Sequence, residues 1–323
     1  MANMDRNLVL DAARVTEAAA MAAWRWCGRG DNHAADQAAV DAMRTALNRL
    51  EIRGRIVIGE GERDEAPMLF IGEEVGTGKG PRVDIALDPL EGTTITAKGL
   101  PNALAVIAFA EDGKLLHAPD VYMDKIAVGG GLPANVIDLD DAPEVNLRRV
   151  AEAKGCKIAD LMVCILDRPR HADLIKAVRA AGAGINLIGD GDVYGVMATS
   201  QANSGIDLYM GSGGAPEGVL ACAALRCIGG QFQGRLMFRN DEEKARAERI
   251  GIQDLDRKYD MMELAAGDVI FAATGVTDGN LLKGVDLREG GARTQSLVMR
   301  SSTGTVRKIE TVHDFARKDW IKI

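Results

Sequence analysis

The second half of the chain alternates short apolar segments with helical ones, and this rhythm is the strongest constraint on its fold. Residues 147–154 read as helix, 161–166 as strand, 172–181 as helix, 184–188 as strand, 193–202 as helix and 206–210 as strand. Parallel strands need a crossover between them and a helix supplies it, so the alternation predicts a parallel α/β layer. A further helix is expected over 216–228, and 241–264 is charged and helical in character. Residues 269–308 return to strand and turn.

The first part follows another plan. Alanine-rich residues 8–25 carry apolar positions at helical spacing and predict a long opening helix, closed by Gly28-Arg29-Gly30-Asp31. A second helix is expected over 34–50, with Ala38, Ala39, Ala42, Met43, Ala46, Leu47 and Leu50 as its buried stripe and Asp36 in its first turn. Strands follow at 55–59, 84–88 and 104–110, the last leading into a hairpin at 111–114. In the 84–88 strand, Ile85 and Leu87 alternate with Asp84, Ala86 and Asp88, which predicts one buried face, and Pro89 is expected to stop the ladder. Gly129-Gly130-Gly131 and the polar stretch 138–144 fit no regular element. They divide the chain into a mixed α+β half, 1–140, and an α/β half, 141–323, whose C-terminal strands return to the core.

At 323 residues and 47% hydrophobic, the chain can bury a large core. A net charge of -8 disfavours nucleic acid and anionic membranes as partners, so any phosphorylated ligand must be held by local basic groups, amides or metal. The five cysteines are odd in number and form no C-x-x-C pair, and Cys222 and Cys227 have no histidine nearby for zinc. Reduced thiols, and therefore a cytoplasmic setting, are expected. The first six residues carry no apolar signal core, and no apolar run approaches bilayer length.

Acidic residues mark the ends of elements: Asp36 at a helix start, Glu60 after a strand, Asp88 and Glu91 after the next, and Glu217 in a helix entered through Gly211-Ser212-Gly213-Gly214-Ala215-Pro216. Asp88 and Glu91 on one short turn repel each other, and a cation or a proton relieves this. An acidic surface turn, N-caps and solvated charges are the plainer readings. The glycine run before Glu217 lets backbone amides approach an anion, although it matches neither a P-loop nor a dinucleotide fingerprint. Arg168-Pro169-Arg170-His171 and Asp190-Gly191-Asp192 each follow a strand of the parallel layer. Strand ends in such a layer share an edge, so the two loops should be neighbours, with cations for a phosphate and acceptors for hydroxyls. Helix caps and surface salt bridges explain the same residues without a ligand. Histidine is scarce, and none of the four stands in a triad or zinc-protease pattern. Tyr122 reads either as a ligand-stacking residue or as a structural one.

These segments, in order, resemble a known family. Gly28-Arg29-Gly30-Asp31 with Ala35-Asp36, Ile58-Gly59-Glu60-Gly61-Glu62, Asp64-Glu65-Ala66-Pro67-Met68, Asp88-Pro89-Leu90-Glu91-Gly92-Thr93, Pro119-Asp120-Val121-Tyr122-Met123, Pro169-Arg170-His171, Asp190-Gly191-Asp192 and Gly213-Gly214-Ala215-Pro216-Glu217-Gly218 are similar to the class II fructose-1,6-bisphosphatases of the GlpX type. The Asp88 motif also resembles the wider lithium-sensitive phosphatase group, which commonly has aspartate where this chain has Glu91.

The resemblance implies a layered α-β-α-β-α sandwich and a metal-dependent phosphatase that converts fructose 1,6-bisphosphate to fructose 6-phosphate in gluconeogenesis. It implies Mg²⁺ or Mn²⁺ held by Asp36, Glu60, Asp88, Glu91 and Glu217. Sugar contacts would come from Glu91, Gly92, Thr93, Tyr122, Arg168, Pro169, Arg170, Asp190, Gly191, Asp192 and Gly214. Thr93, with its neighbour Thr94 not excluded, would position the attacking water, with Asp64 and Glu91 in supporting catalytic roles. A homodimer or homotetramer is implied. The alternatives are a bifunctional enzyme that also cleaves sedoheptulose 1,7-bisphosphate in a Calvin-cycle role, an inositol monophosphate or 3′-phosphonucleotide phosphatase, and a non-catalytic sugar-phosphate sensor. The chain departs from the family where Asn32-His33 stands in place of a common lysine, and residues 241–267 form a shorter stretch than in some relatives.

Overall fold

The computed structural model describes Met4, residues 6–61 and residues 68–317. The chain forms two compact α/β units, Met1–Leu115 with Ala266–Ile323, and Leu116–Ala265, each built on one mixed sheet.

The first unit opens with α1 (Leu8–Trp24) and α2 (Asn32–Leu47). Ala12, Ala13, Ala18, Ala19, Ala20 and Ala23 are all buried, because the small side chain lets α1 approach closely both α2 and the sheet. Asp31 caps α2 by accepting a hydrogen bond from Ala34 N at 2.9 Å. The helix therefore starts before the expected residue 34, and Asp36 stands beyond its first turn rather than within it. Next come β1 (Arg53–Ile58), β2 (Glu74–Val75), β3 (Arg82–Glu91), α3 (Thr93–Ala97) and β4 (Leu104–Glu111). β1 and β3 are parallel, and β4 runs antiparallel to β3.

Two expectations for β3 need correction. Its residues are buried on both faces: α1 and α2 pack on the side of Ile85 and Leu87, and Asp84 and Ala86 on the other side are buried as well. Nor does Pro89 stop the ladder: pairing with β4 continues to Glu91 across a register shift between Asp88 and Glu91. A bulge tolerates a residue without an N–H where a regular ladder would not.

The second unit contains β5 (Tyr122–Gly129), α4 (Pro143–Lys154), β6 (Met162–Leu166), α5 (Ala172–Ala181), β7 (Gly184–Ile188), α6 (Asp192–Ala198), β8 (Leu208–Gly214), α7 (Ala215–Ile228), β9 (Gly230–Met237), α8 (Asp241–Arg249), β10 (Lys258–Asp260) and α9 (Met261–Leu264). Strand order is β10-β9-β5-β8-β6-β7. β6 runs parallel to β7 and β8, as the alternation predicts, whereas β8, β5, β9 and β10 pair antiparallel. β5 precedes the glycine run yet lies within this sheet, so the unit begins at Leu116 and not near residue 140. The helix expected over 241–264 is interrupted, because Lys258–Asp260 pairs with β9 as a strand.

The chain then returns to the first unit with β11 (Val269–Gly275), β12 (Asp286–Arg288), β13 (Gly291–Arg300) and β14 (Thr305–Asp314). The sheet runs β12-β13-β11-β4-β3-β1-β2, with β14 against β13. β4 pairs with β11, so the turn in which Lys114 N donates to Glu111 O at 3.0 Å closes no hairpin. Buried hydroxyls tie α1 to two strands: Thr16 meets Thr274, and Thr274 meets Ser296, each at 2.7 Å. All five cysteines are free thiols. Among the described residues no helix is long and apolar enough to cross a membrane.

Candidate active site

In the first unit, β1 and β3 lie side by side with Ile58 next to Ala86, so both strands end at one edge of the sheet. Glu60 follows β1 there, and Asp88 and Glu91 close β3. Glu60 N donates to Leu69 O at 3.1 Å, and Leu90 N donates to Asp88 Oδ1 at 3.0 Å. Glu91 is 3% exposed. Gly92 takes a φ of 96°, a left-handed conformation that turns the chain from β3 into α3 and puts Thr93 at the start of that helix. The loop before α2 is tied to α3, with Gly28 N donating to Thr96 O and Gly30 N to Ala97 O, each at 2.9 Å. α2 packs on α3 and β3 and carries Asp36 half-buried. Burial pushes the Asp36 carboxyl up, against the opposing pull of His33. Asp64 lies outside the described residues.

In the second unit the two loops predicted to be neighbours do meet. Asp167 N donates to Ile188 O at 2.8 Å, Arg168 Nη1 donates to Gly189 O at 2.6 Å, and Arg168 Nη2 stands 3.8 Å from Asp190 Oδ1. Burial raises the Asp190 carboxyl and Arg168 pulls it back. Pro169, Arg170 and His171 form a single 3₁₀ turn. Arg170 Nη2 donates to Ser212 O at 2.7 Å and Nε to Ser212 Oγ at 3.1 Å, while the guanidinium lies 4.7 Å from the Tyr122 ring centroid. His171 is buried as a brace: Ser212 N donates to its Nε2 at 2.9 Å, so Nδ1 carries the proton and donates to Leu166 O at 2.7 Å. Tyr122 opens β5, opposite Gly214 of β8.

Gly214 precedes α7, whose first turn holds Glu217. A side chain at Gly214 would run into the Glu217 carboxylate, and one at Gly213 into Asp192. Any side chain at either position would have to displace the carboxylate beside it. Glu217 is half-buried as a residue, but its Oε2 is fully enclosed and has no hydrogen-bond partner among the described residues. Burial pushes its carboxyl up to about 7; Asp192 adds to the rise and Lys125 opposes it.

Three residues beside this site went unnoticed as candidates in the sequence. Arg239 lies 5.5 Å from the Tyr122 ring centroid and pairs with Glu243. Ser212, inside the glycine run, receives Arg170. Lys125 of β5 is buried in an ion pair with Asp192.

Among the described residues no three His, Cys, Asp or Glu side chains close on a common point. The donors present nevertheless suit a hard divalent cation. All are carboxylates, and an enclosed carboxylate oxygen without a donor, as at Glu217, calls for a cation or a proton.

The model of the family "Bacterial fructose-1,6-bisphosphatase, glpX-encoded" matches residues 6–313. Relatives from Synechococcus sp. strains JA-3-3Ab and JA-2-3B'a(2-13) are each 47% identical, with 96% of this chain and 96% of the relative covered. A relative from Trichodesmium erythraeum strain IMS101 is 43% identical over 99% of this chain and 100% of its own. All three are named D-fructose 1,6-bisphosphatase class 2/sedoheptulose 1,7-bisphosphatase. The chain, a phosphoric monoester hydrolase, belongs to the family of bacterial, glpX-encoded fructose-1,6-bisphosphatases.

Proposed function

We propose that the chain hydrolyses the 1-phosphate of fructose 1,6-bisphosphate, giving fructose 6-phosphate and phosphate. Beyond family membership, the observation that carries this reading is the meeting of the arginine loop with the aspartate turn in the second unit. Arg168 and Arg170 supply forks for a phosphate remote from the reaction, and Asp190 and Asp192 supply acceptors for sugar hydroxyls. Tyr122, Pro169, Gly191 and Gly214 complete the sugar contacts, with Glu91, Gly92 and Thr93 from the end of β3.

The five carboxylates Asp36, Glu60, Asp88, Glu91 and Glu217 are proposed to hold a divalent metal, Mg²⁺ or Mn²⁺. When bound, such a cation supplies positive charge to the phosphate oxygens and lowers the cost of ionising water. The Thr93 hydroxyl orients the attacking water in line with the phosphorus, and Asp64 and Glu91 accept hydrogen bonds from that water. Sedoheptulose 1,7-bisphosphate is a second proposed substrate, because the relatives' names carry both sugars. A homodimer or homotetramer is proposed as the working assembly. The test is phosphate release from each bisphosphate by purified protein, with and without Mn²⁺ or Mg²⁺. Release from fructose 1,6-bisphosphate that depends on metal is expected, and no release with either metal would overturn the proposal.

A further inference from the structure

We infer that Lys125 is the positioning residue of the sugar site, acting through Asp192; the inference rests on the proposed role of Asp192 as an acceptor for substrate hydroxyls. Lys125 belongs to β5, a strand flanked on both sides, and its residue exposure is 1%. Its ammonium pairs with Asp192 Oδ2, at the start of α6. The other oxygen, Oδ1, has no hydrogen-bond donor among the described residues and stays available to a ligand.

Glycines surround this side chain. Its cross-strand partners are both glycines, Gly211 on β8 and Gly234 on β9. A side chain at Gly218 of α7 would press on Lys125 Cε, and one at Gly213 would meet Lys125 Nζ. Gly213 and Gly218 thus border the lysine on its way from the strand to Asp192, while the two cross-strand glycines leave room for His171 and Met123. An apolar pair of similar volume would stabilise the core as well or better, because desolvating both ions offsets much of their attraction. The pair's value lies in fixing where one carboxylate oxygen stands. The aspartate turn is then clamped twice, Asp190 near the surface by Arg168 and Asp192 in the interior by Lys125.

The test compares K125M, D192N and the double variant K125M/D192N by steady-state kinetics on fructose 1,6-bisphosphate with Mn²⁺, alongside thermal denaturation. Each single substitution is expected to raise KM roughly tenfold or more, with a smaller change in kcat. The double variant should be within about twofold of D192N, because Lys125 has nothing left to position once the carboxylate is gone. K125M strands a charge in the interior, but the double variant strands none, so its comparison with D192N decides the matter even if K125M alone fails to fold. An unchanged KM in K125M, or effects that multiply in the double variant, would overturn the inference while leaving the function intact. Wild-type KM in D192N would instead remove the proposed role of Asp192, and the inference with it.

Discussion

Arg170 is exposed, yet its guanidinium is held by the Ser212 carbonyl, the Ser212 hydroxyl and the face of Tyr122. Most of the entropy lost on gripping a phosphate has therefore already been given up on folding. R170A is predicted to raise KM for fructose 1,6-bisphosphate by about 10- to 100-fold, the range of one lost charge-assisted hydrogen bond. With fructose 1-phosphate, which lacks the distal group, KM should change by less than about threefold, and parallel initial-rate series on the two sugars check this. This arginine was legible because it follows an apolar strand in a parallel layer, where loops gather at one edge. Lys125 was not. A lone lysine in the stretch from Tyr122 to Gly129 reads as a solvent-facing position, and its burial comes from β8 and β9, far along the chain. Ser212 was in view as part of a glycine run, but only the course of the backbone shows that it accepts from Arg170 and donates to His171.

Among the elements, most helices and strands were legible from periodicity, while their partners were not. The strand at 84–88 was foreseen, but its continuation through Pro89 depends on a bulge that only pairing with β4 defines. The turn after β4 has the composition of a hairpin, and the strand that completes the pairing is β11. Where β11 begins, Asp268 bonds Arg300 at the end of β13, with Arg300 Nε donating at 2.9 Å. Burial alone would raise the Asp268 carboxyl, but Arg300 and Ser302 outweigh it and hold the group below the usual carboxylate range. A depressed folded value stabilises the fold above the unfolded value of about 3.9 and ceases to do so as pH falls through the folded one. The stability gap between wild type and D268N, read from urea midpoints, should therefore be level across neutral pH and shrink below about pH 4.

For the whole molecule, the acids at element ends were read from the sequence one at a time, and the structure places Glu60 beside the end of β3 through the parallel register of β1 and β3. A divalent metal bound only by the folded chain stabilises it by mass action, about 2.7 kcal/mol at a hundredfold excess over Kd. Exhaustive chelation should thus lower Tm, and Mn²⁺ should restore it in a concentration-dependent way, as differential scanning calorimetry would show. E217Q, which removes one proposed ligand charge, should blunt that recovery.

The first unit is built from both ends of the chain, with the second unit as one unbroken stretch between them. Val269 pairs with Ala110 across the whole of that stretch, and β11 is an interior strand of the larger sheet. During synthesis the ribosome therefore delivers every strand of the six-stranded sheet before it delivers the one that joins β4 to β13. The larger sheet must wait, its apolar strand β4 open along one side, so the slow and aggregation-prone phase of folding belongs to the unit that begins first.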